Sequence, residues 1–157
     1  SRTGVNIKPE TYKRLSQIEN VVATKEANGD LSALMKTLML CGDELDIYCG
    51  NDDQILPLMA LGSCGAISVV SNILPEKTRA LTHACLERRM EDAQKLQLEL
   101  MPLIRALFLQ ISPIPAKAAL AMMDIIHDAL RLPLTPMEDP YRGQLKQALI
   151  DAHLLSS

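Results

Sequence analysis

Three short apolar runs, Val21–Thr24, Leu45–Cys49 and Ala66–Val70, begin about 20–24 residues apart, and a helical pattern follows each of them. That rhythm constrains the fold more than any other feature. Regular alternation of strand and helix indicates parallel βα units. Right-handed crossovers then place the helices outside a twisted sheet and align the strand ends after Thr24, Cys49 and Val70 on one face. The helices carry their own signals. Pro9 to Leu15 has proline in its first turn, Asp30 caps a helix over Leu31 to Leu40, and Gly42 stops it. Asp52 and Asp53 can cap a helix over residues 54–61, and Pro75 opens one that continues through Leu81 and Cys85.

Three parallel strands do not close a barrel, which needs about eight. Left open, such a sheet has exposed edges and one poorly covered face. The first half is therefore expected to belong to a larger closed structure. Ser1-Arg2-Thr3-Gly4 is not followed by an apolar signal region, and no initiator methionine is present. The expectation is a processed or truncated piece.

From Arg88 onward no strand pattern occurs. Met90 to Leu109 places Leu96, Leu100, Leu103 and Leu107 at helical spacing, and Pro102 should kink or split that helix. A second helix is expected over Ala116 to Leu130 and a last one over Tyr141 to Leu154. The expected division is a partial barrel over 1–87 and a helical domain over 88–157.

Composition excludes several classes. Hydrophobic residues make up 48% of the chain, enough for a real core, and the net charge of -3, without a basic stripe, gives no case for nucleic acid. No apolar stretch is long enough to cross a bilayer. Cys41, Cys49, Cys64 and Cys85 form no Cys-x-x-Cys pair, and His83, His127 and His153 stand far apart, so no metal site is expected. Reduced, buried thiols in a cytoplasmic protein are the expected state.

Lys25 is the residue with chemistry to offer. It follows the run Asn20-Val21-Val22-Ala23-Thr24 and precedes Glu26-Ala27-Asn28-Gly29-Asp30. At the end of a buried strand an ammonium loses hydration, which favours the neutral amine. A neutral lysine attacks carbonyl carbon and forms a Schiff base. By position alone, the plainer reading of a lysine pointing to solvent has the stronger claim.

The strings Ser1-Arg2-Thr3-Gly4-Val5, Lys25-Glu26-Ala27-Asn28-Gly29-Asp30, Gly50-Asn51-Asp52-Asp53 and Gly65-Ala66-Ile67-Ser68-Val69 occur in order. With them the chain resembles the C-terminal half of the dihydrodipicolinate synthase (4-hydroxy-tetrahydrodipicolinate synthase) family, from Ser1 essentially to the end. The resemblance implies an α/β chain: the last three strands of a (β/α)8 barrel followed by a helical C-terminal domain. It implies condensation of pyruvate with aspartate-4-semialdehyde in the diaminopimelate route to lysine, without a cofactor. Lys25 matches the imine-forming lysine and Arg2 the arginine that holds the semialdehyde carboxylate. Gly50 and Ile67 match positions lining the substrate pocket, largely through backbone groups.

The resemblance also implies partners: a missing N-terminal half-barrel and a homo-oligomer. The family's proton-relay tyrosines and threonine would all precede Ser1, and Tyr12, Tyr48 and Tyr141 do not replace them. Cys49-Gly50-Asn51 departs mildly from the family's serine-glycine-aspartate pattern. A related pyruvate-dependent aldolase, such as an N-acetylneuraminate lyase, and a non-catalytic assembly module using the Leu and Met stripes stay open as alternatives.

Overall fold

Strand pairing is parallel throughout. In the computed structural model, which describes residues 3–156, β1 (Ala23–Glu26), β2 (Asp46–Cys49) and β3 (Gly65–Ala66) form one sheet in the order β1-β2-β3. α1 (Pro9–Leu15) precedes β1, α2 (Leu31–Cys41) and α3 (Ile55–Ala60) lie between successive strands, and α4 (Pro75–Leu86), α5 (Met90–Leu107), α6 (Ile114–Met122) and α7 (Asp139–Asp151) follow β3. The described residues divide into two compact units, one of residues 3–68 with 82–90, the other of 69–81 with 91–156.

In the first unit the helices begin and end where their caps dictate. Pro9 stands at the start of α1. Asp30 accepts the backbone N–H of Ser32 at 2.9 Å and of Ala33 at 3.1 Å, which satisfies two of the orphan donors at the start of α2. Gly42, at φ +55°, ends that helix and returns its N–H to the Leu38 carbonyl. Asp52 and Asp53, the expected caps of α3, lie in a 3-10 turn ahead of it, and the residues at the two cap positions, Asn51 and Gln54, make no cap bond with their side chains. α1 packs on α2, and α3 on β2 and β3.

Two strands differ from expectation. The first lies at Ala23–Glu26 rather than Val21–Thr24, so Lys25 is inside it; the third is only Gly65–Ala66, and Val70 already belongs to a 3-10 turn. The buried run expected for β1 is not buried either. Val22 is 66% exposed, Ala23 and Lys25 are exposed, and only Glu26 is buried. The reason is the pleat. Ile47 and Cys49 of β2 face the helices and are buried, whereas Ala23, Lys25 and Asp46 face the other way, where no layer is supplied among the described residues of this unit.

In the second unit α5 buries Ala93, Gln97, Leu100, Ile104 and Leu107 along one side. Pro102 does not split it. Proline deprives the carbonyl four residues back, that of Leu98, of its donor, and both residues are exposed, so water can take the donor's place. α6 is shorter than expected and stops at Met122. Asp124 adopts φ +58°, its N–H reaches the Ala121 carbonyl at 3.1 Å, and the Ile125 N–H reaches that of Leu120 at 3.0 Å. This is a Schellman stop built on aspartate where glycine is usual. His153 ends α7 the same way, at φ +59°. Glu138 and Gln110 exchange two hydrogen bonds, of 2.9 and 3.0 Å, which tie the start of α7 to the segment after α5.

Candidate active site at the strand ends

The parallel register sets the site. Lys25 stands opposite Tyr48, and Tyr48 opposite Gly65; one step on, Glu26 stands opposite Cys49 and Cys49 opposite Ala66. Residues in register point to the same face. Lys25, Tyr48 and Gly65 thus share the uncovered face, with Ala27, Gly50 and Ile67 continuing it beyond the strand ends. Glu26 and Cys49 point to the helices. Lys25 is the next-to-last residue of β1, at the C-terminal rim of the sheet.

The stem of Lys25 lies across Gly50. A Cβ placed on Gly50 would fall 2.6 Å from Lys25 Cε, 2.9 Å from Lys25 Cγ and 2.8 Å from Ala27 Cβ. No side chain longer than hydrogen fits there while the lysine holds this course. Among the described residues no carboxylate pairs with the Lys25 amine.

The structure brings together three of the four residues singled out in the sequence. Lys25, Gly50 and Ile67 lie side by side on the rim: Gly50 donates its N–H to the Glu26 carbonyl at 2.7 Å, and Ile67 donates its own to the Cys49 carbonyl at 2.8 Å. Both amides are thereby engaged, so a ligand approaching those positions would meet backbone acceptors only. Arg2 lies outside the described residues. The expected desolvation of Lys25 is not met within this chain. Lys25 is exposed, because no layer covers the face that bears it among the described residues of its unit.

A further set of residues behind the site is marked in the sequence by its spacing alone. Glu26, Asn28 and Asp30 recur at every second position. Each side-chain oxygen takes the N–H two residues on: Glu26 from Asn28 at 2.7 Å, Asn28 from Asp30 at 2.7 Å, and Asp30 from Ser32. This relay carries the chain from the end of β1 into α2, with Gly29 at φ +80° making the bend. Cys49, on the helix side, has its thiol pushed up to about 11, chiefly by burial, with the carboxylates of Asp52, Asp53 and Glu26 adding to it. It is no nucleophile. Among the described residues no group of side chains could hold a metal ion, and no helix is long and apolar enough to cross a membrane.

A parallel sheet that shows a lysine at its C-terminal rim, followed by a helical part, is the closing portion of a (β/α)8 barrel with its appended helices. The model of the dihydrodipicolinate synthetase family matches residues 1–152, and the chain belongs to that family. It is similar to the 4-hydroxy-tetrahydrodipicolinate synthase of Caldicellulosiruptor saccharolyticus, at 49% identity over 151 residues that cover 96% of this chain and 51% of the relative. Among solved structures, the dihydrodipicolinate synthase of Thermotoga maritima matches with a TM-score of 0.93 at 38% identity, over 98% of this chain and 53% of that one. The chloride-inhibited dihydrodipicolinate synthase of Acinetobacter baumannii, solved in complex with pyruvate, matches with a TM-score of 0.93 at 34% identity, over 97% of this chain and 52% of that one. The chain spans about half the length of the curated relatives it matches, and corresponds to their C-terminal half.

Proposed function

We propose that this chain supplies the Schiff-base lysine of a synthase that condenses pyruvate with aspartate-4-semialdehyde in the diaminopimelate route to lysine. The observation that carries the reading is the placement of Lys25 at the rim of the parallel sheet, its stem laid over Gly50. The pyruvate complex of the Acinetobacter baumannii neighbour supports the choice of keto acid. The shared name of the curated relatives favours the synthase over a neuraminate lyase.

In this reading the neutral Lys25 amine attacks the ketone carbon of pyruvate and gives a carbinolamine. A proton delivered to its hydroxyl lets water leave, and a protonated imine remains. That cation draws electrons, a methyl proton departs, and the resulting enamine carbon attacks the aldehyde. Arg2 grips the semialdehyde carboxylate through two parallel hydrogen bonds. Gly50 and Ile67 line the pocket. A half-barrel of N-terminal strands covers the open face, dries the Lys25 amine and brings the proton relay. The active form is a cytoplasmic homo-oligomer, with the barrel part over 1–87 and the helical domain over 88–157. The chain alone turns over poorly, since loss of a proton relay costs about 10²–10⁴-fold.

The test is borohydride trapping with pyruvate, read by peptide mass mapping. The chain is treated by itself and after co-expression with the N-terminal half of the Caldicellulosiruptor saccharolyticus relative. A reduced pyruvate adduct on Lys25 in the co-expressed preparation is the expected result. An adduct on another lysine, or none, overturns the proposal.

A further inference from the structure

The backbone at Gly50 does not require glycine, for its φ lies outside the left-handed region that side chains avoid. Nor is the position open to solvent in the way of a surface turn: Gly50 is half-buried, and three carbons occupy the place its Cβ would take. Two of those carbons belong to Lys25 and the third to Ala27. The missing side chain is therefore used for space, and the occupant of that space is the stem of the lysine.

We infer that Gly50 is a positioning residue for Lys25: its bare backbone, with Ala27 beside it, is the seat that fixes where the ε-carbon lies and so where the amine is presented. This deepens the reading of Lys25 as the nucleophile and rests on it. It assigns to Gly50 a role toward the lysine and not only toward substrate. The physical reason is direct. A contact at 2.6 Å is shorter than carbon atoms tolerate, so any side chain at 50 must push Cε aside. Imine formation needs the amine on the carbonyl's line of attack, and a displacement of about 1 Å can cost on the order of 10²-fold.

Gly50→Ala alone also collides with Ala27 Cβ at 2.8 Å, which could disturb the fold. The informative variant is Gly50→Ala with Ala27→Gly. It removes the carbon-on-carbon clash and leaves only the flexible stem to yield. Gly65→Ala is the control, because a Cβ there meets only the Tyr48 ring at 3.4 and 3.5 Å. Two quantities are read: the Lys25 adduct in the co-expressed preparation, and the ¹³C resonance of a labelled Lys25 Cε in the chain itself. The double variant is expected to keep the wild-type thermal midpoint, lose about 10- to 100-fold of the Lys25 adduct and shift the Cε resonance, with Gly65→Ala unchanged in all three. Wild-type adduct levels in the double variant overturn the seat while leaving Lys25 as nucleophile. If the unsubstituted protein gives no adduct, the functional reading falls, and the resonance decides the seat: an unmoved Cε overturns it.

Discussion

The carboxylate of Glu26 accepts the backbone N–H of Asn28 at 2.7 Å, on the side of the sheet opposite to Lys25. Neighbouring residues of one strand thus divide the work. Lys25 faces the open side, and Glu26, 7% exposed, anchors the turn beneath it. Glu26→Ala removes the carboxylate that accepts the Asn28 N–H and is expected to lower stability by about 1–3 kcal/mol. Glu26→Gln, which keeps an oxygen, is expected to lose less. Urea denaturation of the three proteins measures both, and equal stability of wild type and Glu26→Ala would show that Glu26 does not anchor the turn.

Asp124 holds a left-handed conformation that glycine adopts without steric cost. Asp124→Gly is expected to raise stability by about 0.5–1 kcal/mol, and Asp124→Val to lower it by about 1 kcal/mol or more. Thermal unfolding followed by circular dichroism reads the order glycine, aspartate, valine. Any other order contradicts the Schellman stop.

The thiols separate by burial. Cys64 is exposed, though burial and the Asp46 carboxylate hold its thiol above the ordinary value; Cys49 is 1% exposed and pushed up to about 11. At pH 8 iodoacetamide is expected to label Cys64 in the folded protein and leave Cys49 until unfolding, as mass mapping will show. The same shift acts on stability. The unfolded Cys49 releases its proton near 9.0 while the folded one keeps it to about 11. The folded state binds more protons in that window, so stability is intact below pH 9 and falls as pH rises toward 11. Cys49→Ser titrated over the same range should lack this part of the fall.

Lys25→Arg keeps the positive charge at an exposed position and cannot form an imine. Stability is expected within about 0.5 kcal/mol of wild type, with the borohydride-trapped pyruvate adduct abolished. An adduct that survives the substitution places the nucleophile elsewhere.

How much of this was legible depended on the range over which each feature is encoded. The parallel βα order, the first turn at Pro9, the Asp30 cap, the Gly42 stop and the nearness of Lys25 to the strand rim are all readable in the amino-acid order. They arise from interactions within a few residues, and a string of side chains carries that information whole. Tertiary structure alone decided the rest. It moved β1 two residues along, because strand register is set by what β2 offers for pairing. Packing likewise ended α6 at Met122, through an aspartate at a position where glycine is the usual sign. It left Lys25 exposed, since a side chain is dried by the layer laid over it and, among the described residues of the first unit, none covers that face of the sheet. And it set the lysine stem over Gly50, 25 positions along the chain, in the space that a side chain at that position would need.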